Sequence, residues 1–162
     1  MRRIPVVLLL LLAVLATPTR AATPPPLKGS AAAGAAWLVA MKANDLDAVV
    51  ACYADDATLW MPGGPRIDGK AAIRTTFSEM LAANTIKDAL ISNARYETSG
   101  NLGTGWGQFT ITIQPKTGGD LVVWRGHFTD VTVRRGAKWL YLVDHATEDA
   151  PAAVTTGDAA RK

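Results

Sequence analysis

The change from helical to strand periodicity half-way along the chain restricts its fold more than any other feature. Up to Asn84, apolar residues recur at three- and four-residue intervals in AAAGAAWLVAMKAN, LDAVVACYA and KAAIRTTFSEMLAAN, with the short strand-like run ATLWMP before the third. This spacing predicts three helices. After Asn84, four β-rich runs are separated by the turn sequences SGNLG, KTGGD and RRGA, which predicts four long strands. Helices followed by an antiparallel sheet indicate an α+β fold with the helices on one face.

The first residues have the composition of a secretory signal peptide. A basic head (Arg2, Arg3) precedes the apolar run Ile4–Ala16 and a stretch of small residues. We therefore predict that residues 1–22 are a signal peptide cleaved near Ala21 or Ala22, and that the protein is secreted or periplasmic. The apolar run is shorter than the roughly 20 residues that span a bilayer, so no stable membrane anchor is expected.

The remaining chain divides into a linker, one domain and a tail. The linker is residues 23–30, where three prolines lack the N–H group that regular structure needs. Residues 31–149 are long enough to bury a single hydrophobic core. Residues 150–162 are small and weakly apolar, which is typical of a disordered tail. Cys52 is the only cysteine, so this domain has no intramolecular disulfide.

The net charge of the chain comes from its predicted signal peptide. The whole sequence carries 17 Lys+Arg against 14 Asp+Glu, and residues 1–22 contain three of the arginines and no acidic residue. Cleavage therefore leaves a domain with no net formal charge. Such a domain has no basic surface to neutralise a phosphate backbone, which argues against nucleic-acid binding.

Two segments of the sequence resemble a known superfamily. The segment AMKANDLDAVVACYADDATLWMPGGPRIDGKAAIRTTF resembles the N-terminal half of bacterial ketosteroid isomerase, chiefly through NDLDAVVACYADDAT and GKAAIR. The segment HFTDVTVRRGAKWLYLVDHATE is similar to secreted SnoaL-like proteins of the same nuclear-transport-factor-2-like superfamily. The resemblance covers nearly all of residues 31–148. It implies a cystatin-like cone, in which three N-terminal helices pack on a curved antiparallel sheet around an apolar pocket.

The resemblance also implies where the catalytic groups of the isomerase would lie. In that enzyme a carboxylate ends the first strand, a tyrosine lies on the first helix, and a protonated aspartic acid lies on a late strand. The first two positions fall on Met61 and Trp37, and the third falls on Asp130 or Thr129. A thioether cannot accept the proton, and an indole donates only one hydrogen bond. We therefore expect the pocket without the ketosteroid isomerase reaction.

Two histidines are the candidate catalytic residues, because imidazole exchanges protons near neutral pH. His127 and His145 lie on the last two predicted strands. Alternation along AKWLYLVDHAT places His145 on the face of Tyr141, and Asp144 on the opposite face. If the faces of the two strands coincide, Arg125, His127 and His145 cluster at the mouth of the cone. The alternative is that either histidine only satisfies backbone groups at the end of the sheet.

The complete predicted pocket consists of Trp37, Tyr53, Trp60, Met61, Trp106, Arg125, His127 and His145. Two histidines and a carboxylate such as Asp144 or Glu148 would suit a metal triad. Asp144 is expected to face away, however, and no HxH or HxxxH spacing is present. We therefore predict no metal and no cofactor.

The sequence thus leads to one functional prediction and two alternatives. The prediction is an exported domain that binds a small apolar or aromatic molecule in its cone. The first alternative is an isomerase, hydrolase or cyclase of the same fold that uses His145 as acid or base. The second is a dimeric interaction module with a vestigial pocket. A homodimer is expected in any case, because strands that are apolar on both faces need cover on both.

Overall fold

The computed structural model describes residues 25–149. The predicted signal peptide and tail lie outside this range. In chain order, the elements are α1 (Gly29–Ala43), α2 (Leu46–Val50), β1 (Tyr53–Trp60), β2 (Arg66–Asp68), α3 (Lys70–Ala83), β3 (Asn84–Ser99), β4 (Leu102–Pro115), β5 (Val122–Arg135) and β6 (Lys138–Glu148). The predicted α+β class is confirmed. None of the helices in the described range has the length and hydrophobicity needed to cross a bilayer.

The six strands form one curved sheet in the order β2-β1-β6-β5-β4-β3. The four long strands β3 to β6 are joined in sequence by antiparallel pairing, as the turn sequences between them predict. β1 instead runs parallel to β6 and antiparallel to β2. The first and last strands therefore meet in the middle of the sheet, where β6 has a neighbour on each side.

The second helix is shorter than its sequence predicts. Asp45 caps α2 as expected, accepting a hydrogen bond from the backbone N–H of Ala48 at 3.0 Å. The helix ends at Val50, however, and Tyr53 begins β1 instead of continuing the helical face. Tyr53 is fully buried, and its ring centroid lies 5.3 Å from that of Tyr141 on β6. Burial of this ring between helix and sheet outweighs the local helical spacing.

Glycines on β4 allow α1 to approach the sheet closely. Gly103 and Gly105 lie on the same face of the strand, towards the first turn of α1. A methyl group on Gly103 would lie 2.7 Å from the Cα of Gly29, and one on Gly105 would lie 2.8 Å from the Cβ of Ser30. Ser30 is itself fully buried and hydrogen-bonds Thr132 Oγ1 at 3.2 Å. The first turn of α1 therefore packs directly against the backbone of β4. We call this space the notch, and any residue larger than glycine at Gly103 or Gly105 would fill it.

The other end of α1 is joined to the sheet by a side chain. Asn44 ends the helix in the left-handed conformation, with φ of 54°. Its carboxamide accepts a hydrogen bond from the N–H of Ile86 at 2.7 Å and donates one to the carbonyl of the same residue at 3.0 Å. Both ends of α1 are thus tied to the sheet, which determines how far the helix stands above it and how much space remains between them.

We predict that Gly103→Ala destabilises the fold. The new Cβ would lie 2.7 Å from the Cα of Gly29 and 2.8 Å from Thr132 Oγ1. Because the first contact is with backbone, it can be relieved only if α1 moves away from the sheet. Overpacking of this kind lowers the free energy of unfolding by about 1–3 kcal/mol, measurable by urea denaturation. Gly64→Ala is the matched control, because its nearest contact is an ordinary 3.4 Å. Equal stability of the two variants would contradict the notch.

Candidate functional site

A cavity of about 70 Å³ lies between the helices and the concave face of the sheet. Its walls are mostly apolar and aromatic, and include Trp37, Met41, Phe77, Phe109, Trp124 and Phe128. The turn after β1 borders it through Met61 and Pro62. Two carboxyl groups, Asp130 on β5 and Asp144 on β6, interrupt this apolar lining. The chemistry of the cavity therefore depends on what surrounds these two side chains.

A β-bulge in β6 decides which side chains enter the cavity. Thr132 on β5 pairs with Tyr141, but Val131 pairs with Val143, so Leu142 is an extra residue without a partner on β5. A bulge of this kind reverses the alternation of faces beyond it. Tyr141 and Asp144 consequently both line the cavity. The prediction that Asp144 faces away is wrong, because it assumed unbroken alternation along the strand.

Asp144 is held by a hydrogen bond from a buried tyrosine. The hydroxyl of Tyr53 donates to Asp144 Oδ2 at 2.6 Å. Burial raises the pKa of Asp144 to about 6, while the Tyr53 hydrogen bond and the neighbouring His145 favour the ionised form and oppose the shift. The carboxyl group is thus oriented by its partner and gains or loses a proton close to neutral pH.

Asp130 is the direct cross-strand neighbour of Asp144. It is only 2 % exposed, and its Oδ1 atom is buried without a hydrogen-bond partner among the described residues. Burial raises the pKa of Asp130 to about 6; the hydroxyl of Ser30 opposes the shift, the charge of Asp144 adds to it, and the N–H of Gly105 opposes it. The sequence left Asp130 and Thr129 as alternatives for the inward position, and the structure places Asp130 inside and Thr129 outside.

Four of the predicted pocket residues lie in or beside the cavity. Trp37, Trp60 and Met61 line it, and Tyr53 lies beneath it with its hydroxyl on Asp144. The indole Nε1 of Trp37 is buried and, like Asp130 Oδ1, has no hydrogen-bond partner within residues 25–149. Two unpartnered polar atoms therefore belong to residues that line the same cavity. Buried polar groups in proteins are nearly always paired, so these atoms favour a ligand with polar atoms of its own.

The other four predicted pocket residues lie on the outer face of the sheet. The concave face of β4 carries Phe109 and Ile111, so the even-numbered Trp106 points outward and is 38 % exposed. His127 and Arg125 alternate with Trp124 and Phe128, which line the cavity, and they are exposed. His145 follows the bulge and borders an outer groove with Trp60. The faces of the two histidine-bearing strands do coincide, but on the outside of the cone.

The cavity does contain carboxyl groups, although the base and the tyrosine of the isomerase are absent. The expectation of a pocket without the ketosteroid isomerase reaction rested on the replacement of a carboxylate by Met61 and of a tyrosine by Trp37. Both replacements are present, yet Asp130 and Asp144 supply carboxyl groups from the opposite wall. The run WLYLV is apolar at every position. An extra residue in such a run changes no hydrophobic period, so the sequence carries no signal for the bulge at Leu142. Asp144 could not have been assigned to the cavity from sequence.

Residues 35–142 match the family described as SnoaL-like domain. The chain belongs to this family. No protein of curated function matches the sequence. Within the described range of this SnoaL-like domain, no three His, Cys, Asp or Glu side chains lie close enough together to hold a metal ion.

Several solved structures share the fold of this chain. A proposed dehydratase of the NTF2-like family from Streptomyces avermitilis has a TM-score of 0.67 and 18% identity, with 74% of this chain and 93% of that chain covered. A ketosteroid isomerase-like protein from Erwinia carotovora atroseptica has a TM-score of 0.64 and 21% identity over 74% and 93%. A protein with a cystatin-like fold from Caulobacter vibrioides has a TM-score of 0.61 and 17% identity over 76% and 91%. Identities this low establish the fold alone.

We predict that Asp130→Asn stabilises this SnoaL-like domain at neutral and alkaline pH. An unfolded carboxyl releases its proton near pH 4, whereas Asp130 in the folded state keeps it until about pH 6. Folding stability therefore falls as pH rises from about 4 to 6 and stays lower above that window. The neutral amide avoids this loss, so the variant should gain about 1–3 kcal/mol in unfolding free energy above pH 7.

The gain should disappear below pH 4, because there the native carboxyl is also neutral. Urea denaturation at several pH values measures it. Asp56→Asn, an exposed position on β1, is the control and should show little change. A gain for Asp130→Asn that is independent of pH would contradict the assigned cause.

Proposed function

We propose that this domain is an acid–base enzyme acting on a small, largely apolar molecule that carries a carbonyl or hydroxyl oxygen. The observation that carries the proposal is the pair of carboxyl groups, Asp130 and Asp144, directly opposite each other on adjacent strands and facing one apolar cavity. Proton-transfer catalysts work best with pKa values close to the ambient pH. Burial brings both of these carboxyl groups there.

The two carboxyl groups have different surroundings, and these suggest different roles. Asp144 accepts the Tyr53 hydrogen bond at 2.6 Å, which stabilises its ionised form. Burial, with the charge of Asp144 adding to it, raises the pKa of Asp130 to about 6, so Asp130 keeps its proton up to that pH. In the state with one proton on the pair, Asp144 is the base and Asp130 the hydrogen-bond donor. This is the distribution that an enolising enzyme needs.

The unpartnered polar atoms indicate where the ligand oxygen would bind. Trp37 Nε1 can only donate a hydrogen bond, and a protonated Asp130 can donate one as well. A carbonyl oxygen of a bound ligand could accept from either. Donors placed where negative charge develops are among the largest contributions to catalysis by enzymes of this type.

The reaction then follows from these roles. The Asp144 carboxylate takes a proton from the carbon next to the carbonyl, and the C–H electron pair moves to the oxygen to form an enolate that Asp130 stabilises. Return of the proton from Asp144 to the γ carbon isomerises a double bond. In a dehydration, the enolate instead expels a β-hydroxyl group, which takes up the proton held by Asp144 and leaves as water, so that the Asp144 carboxylate is restored. The structural neighbours named as isomerase-like and as a proposed dehydratase support this reaction class.

The size and lining of the cavity restrict the ligand. About 70 Å³ is less than a benzene molecule requires, so a ligand must displace side chains or extend through the mouth. Three methionines, Met41, Met61 and Met80, border the cavity. Methionine side chains adapt their shape at low cost, which suits a site that opens around a single ring. The aromatic walls favour a flat ligand.

The proposal predicts isomerisation of cyclohex-3-enone to its conjugated isomer, followed by ultraviolet absorbance, and hydrogen–deuterium exchange at the α carbon of 1-indanone, followed by mass spectrometry. Asp144→Asn should lower either rate by about 10²–10⁴-fold, because the base is lost. Since activity needs one proton on the carboxyl pair, the rate should be greatest near pH 6.

His145→Ala is the matched control, because the imidazole lies next to Asp144 in sequence but on the outer face. It should retain most of the activity, and circular dichroism should show that both variants are folded. Loss of activity in His145→Ala with retention in Asp144→Asn would reverse the assignment. Failure of both ketones to react above the Asp144→Asn background would contradict the proposed reaction class.

A further inference from the structure

The indole of Trp60 lies between the inner cavity and the groove on the outer face of the sheet. The cavity has a volume of about 70 Å³, and Trp60 lines it together with Leu59 and Met61. The outer groove has a volume of about 400 Å³, and Trp60 borders it beside Val143 and His145. Among the described residues that border these two spaces, Trp60 alone belongs to both.

The position of Trp60 at the end of β1 explains how one ring reaches two surfaces. Leu59 pairs with Asp144 and lines the cavity, so the side chain of Trp60 leaves the strand on the opposite face. There it lies beside its strand partner His145. Because β1 stops at Trp60, the large indole extends past the end of the strand and borders the cavity as well.

Two side chains contact the Trp60 ring. The Arg66 guanidinium lies over it, 5.6 Å from the ring centroid, and the His145 ring meets it edge-on with centroids 5.8 Å apart. Asp68 fixes Arg66, because its Oδ1 atom accepts from Arg66 Nε at 2.9 Å and from Thr58 Oγ1 at 2.7 Å. These hydrogen bonds lower the pKa of Asp68, so its carboxyl group stays ionised at neutral pH. The short strand β2 thus supplies the group that covers the indole.

These contacts can be broken without disrupting the hydrophobic core. Trp60 is half-buried and is not part of the buried core, and the side chains of Arg66 and Asp68 are 60% and 56% exposed. A cation over an exposed ring and an exposed ion pair each contribute little free energy. The indole is therefore free to leave its present position while the helices and the sheet stay packed.

We propose that Trp60 is a gate through which ligands enter the cavity from the outer groove. With the indole in its present position, the cavity is too small for a single ring, and a larger space lies directly outside. Rotation of the indole away from the cavity joins the two spaces and admits a flat apolar molecule. The proposal rests on the proposed function only in taking the cavity as the ligand site, and it does not depend on the acid–base roles of the carboxyl groups.

The binding kinetics of indane, a flat hydrocarbon without an oxygen atom, test the proposal. NMR line shapes of labelled methyl groups of Met41, Met61 and Met80, which border the cavity, report ligand entry and exit. Trp60→Ala should raise the association and dissociation rate constants by about tenfold or more, because the barrier is removed in both directions. The dissociation constant should change by less than either rate. A side chain that only packed on the ligand would alter dissociation and leave association unchanged.

Arg66→Ala loosens the ring without removing it. Both rate constants should rise by about two- to fivefold, which is the factor that a cation over an exposed ring represents. Arg66→Lys retains a cation near the indole and should lie between this variant and the native chain. Because Arg66 is exposed, these two variants test the gate even if Trp60→Ala does not fold.

Trp106→Ala is the matched control, because Trp106 is an exposed indole on the outer face that borders neither the cavity nor the outer groove. Its rate constants should equal those of the native chain. Indane entry requires no proton transfer, so failure of the ketone reaction leaves this measurement meaningful. Equal indane kinetics in all variants, conversely, would leave the proposed roles of Asp130 and Asp144 untouched, so the two proposals can fail separately.

Two results would overturn the gate. The first is an association rate constant that is the same in the native chain, in Trp60→Ala and in Arg66→Ala, all shown by circular dichroism to be folded. Ligands would then enter past Met61 and Met80 instead. The second is a folded native chain whose methionine methyl signals do not respond to saturating indane, because the cavity would then admit no flat apolar molecule.

Discussion

The hydrogen bond from Tyr53 to Asp144 links every part of the site, and it depends on one extra residue in β6. Without the bulge at Leu142, alternation would point Asp144 to solvent and His145 into the cavity. The parallel pairing of β1 with β6 brings Tyr53 alongside Tyr141, so its hydroxyl reaches the carboxyl group three residues beyond. Strand pairing, bulge and buried tyrosine together convert an apolar hollow into a site with an oriented acid–base group.

A buried carboxyl group, Asp130, and a half-buried one, Asp144, on neighbouring strands are costly for the fold. Loss of solvation raises the pKa of each to about 6, and the charge of Asp144 adds to the rise at Asp130. A chain selected for stability alone would carry apolar residues at such positions. The surrounding structure compensates through the seat of α1 on the β4 glycines, which places Ser30 and Gly105 beside Asp130. The residues that lower the stability of the fold are thus the ones that form the candidate acid–base pair.

The bulge also gives the two faces of the sheet different chemistry. On the concave side it presents Asp144 to a hollow lined by aromatic rings and methionines. On the convex side it brings His145 into line with Thr129 and Trp106. Neighbouring residues of one strand thus serve separate surfaces. Trp60 borders both surfaces, whereas Thr129 and His145 border only the outer one, so substitutions at these two are expected to leave the shape of the cavity intact.

The sequence by itself determined the α+β class, the order of helices and strands and the family, because hydrophobic periods of 3.6 and 2 and the glycine-containing turns are local signals. It also indicated Trp37, Trp60 and Met61 as cavity residues through the family resemblance. Only the tertiary structure decided that Tyr53 opens a strand, that Asp130 and Asp144 face inward, and that Trp106, His127 and His145 lie outside. Each of these depends on register and pairing between distant strands, which a single bulge can reverse without any trace in local periodicity.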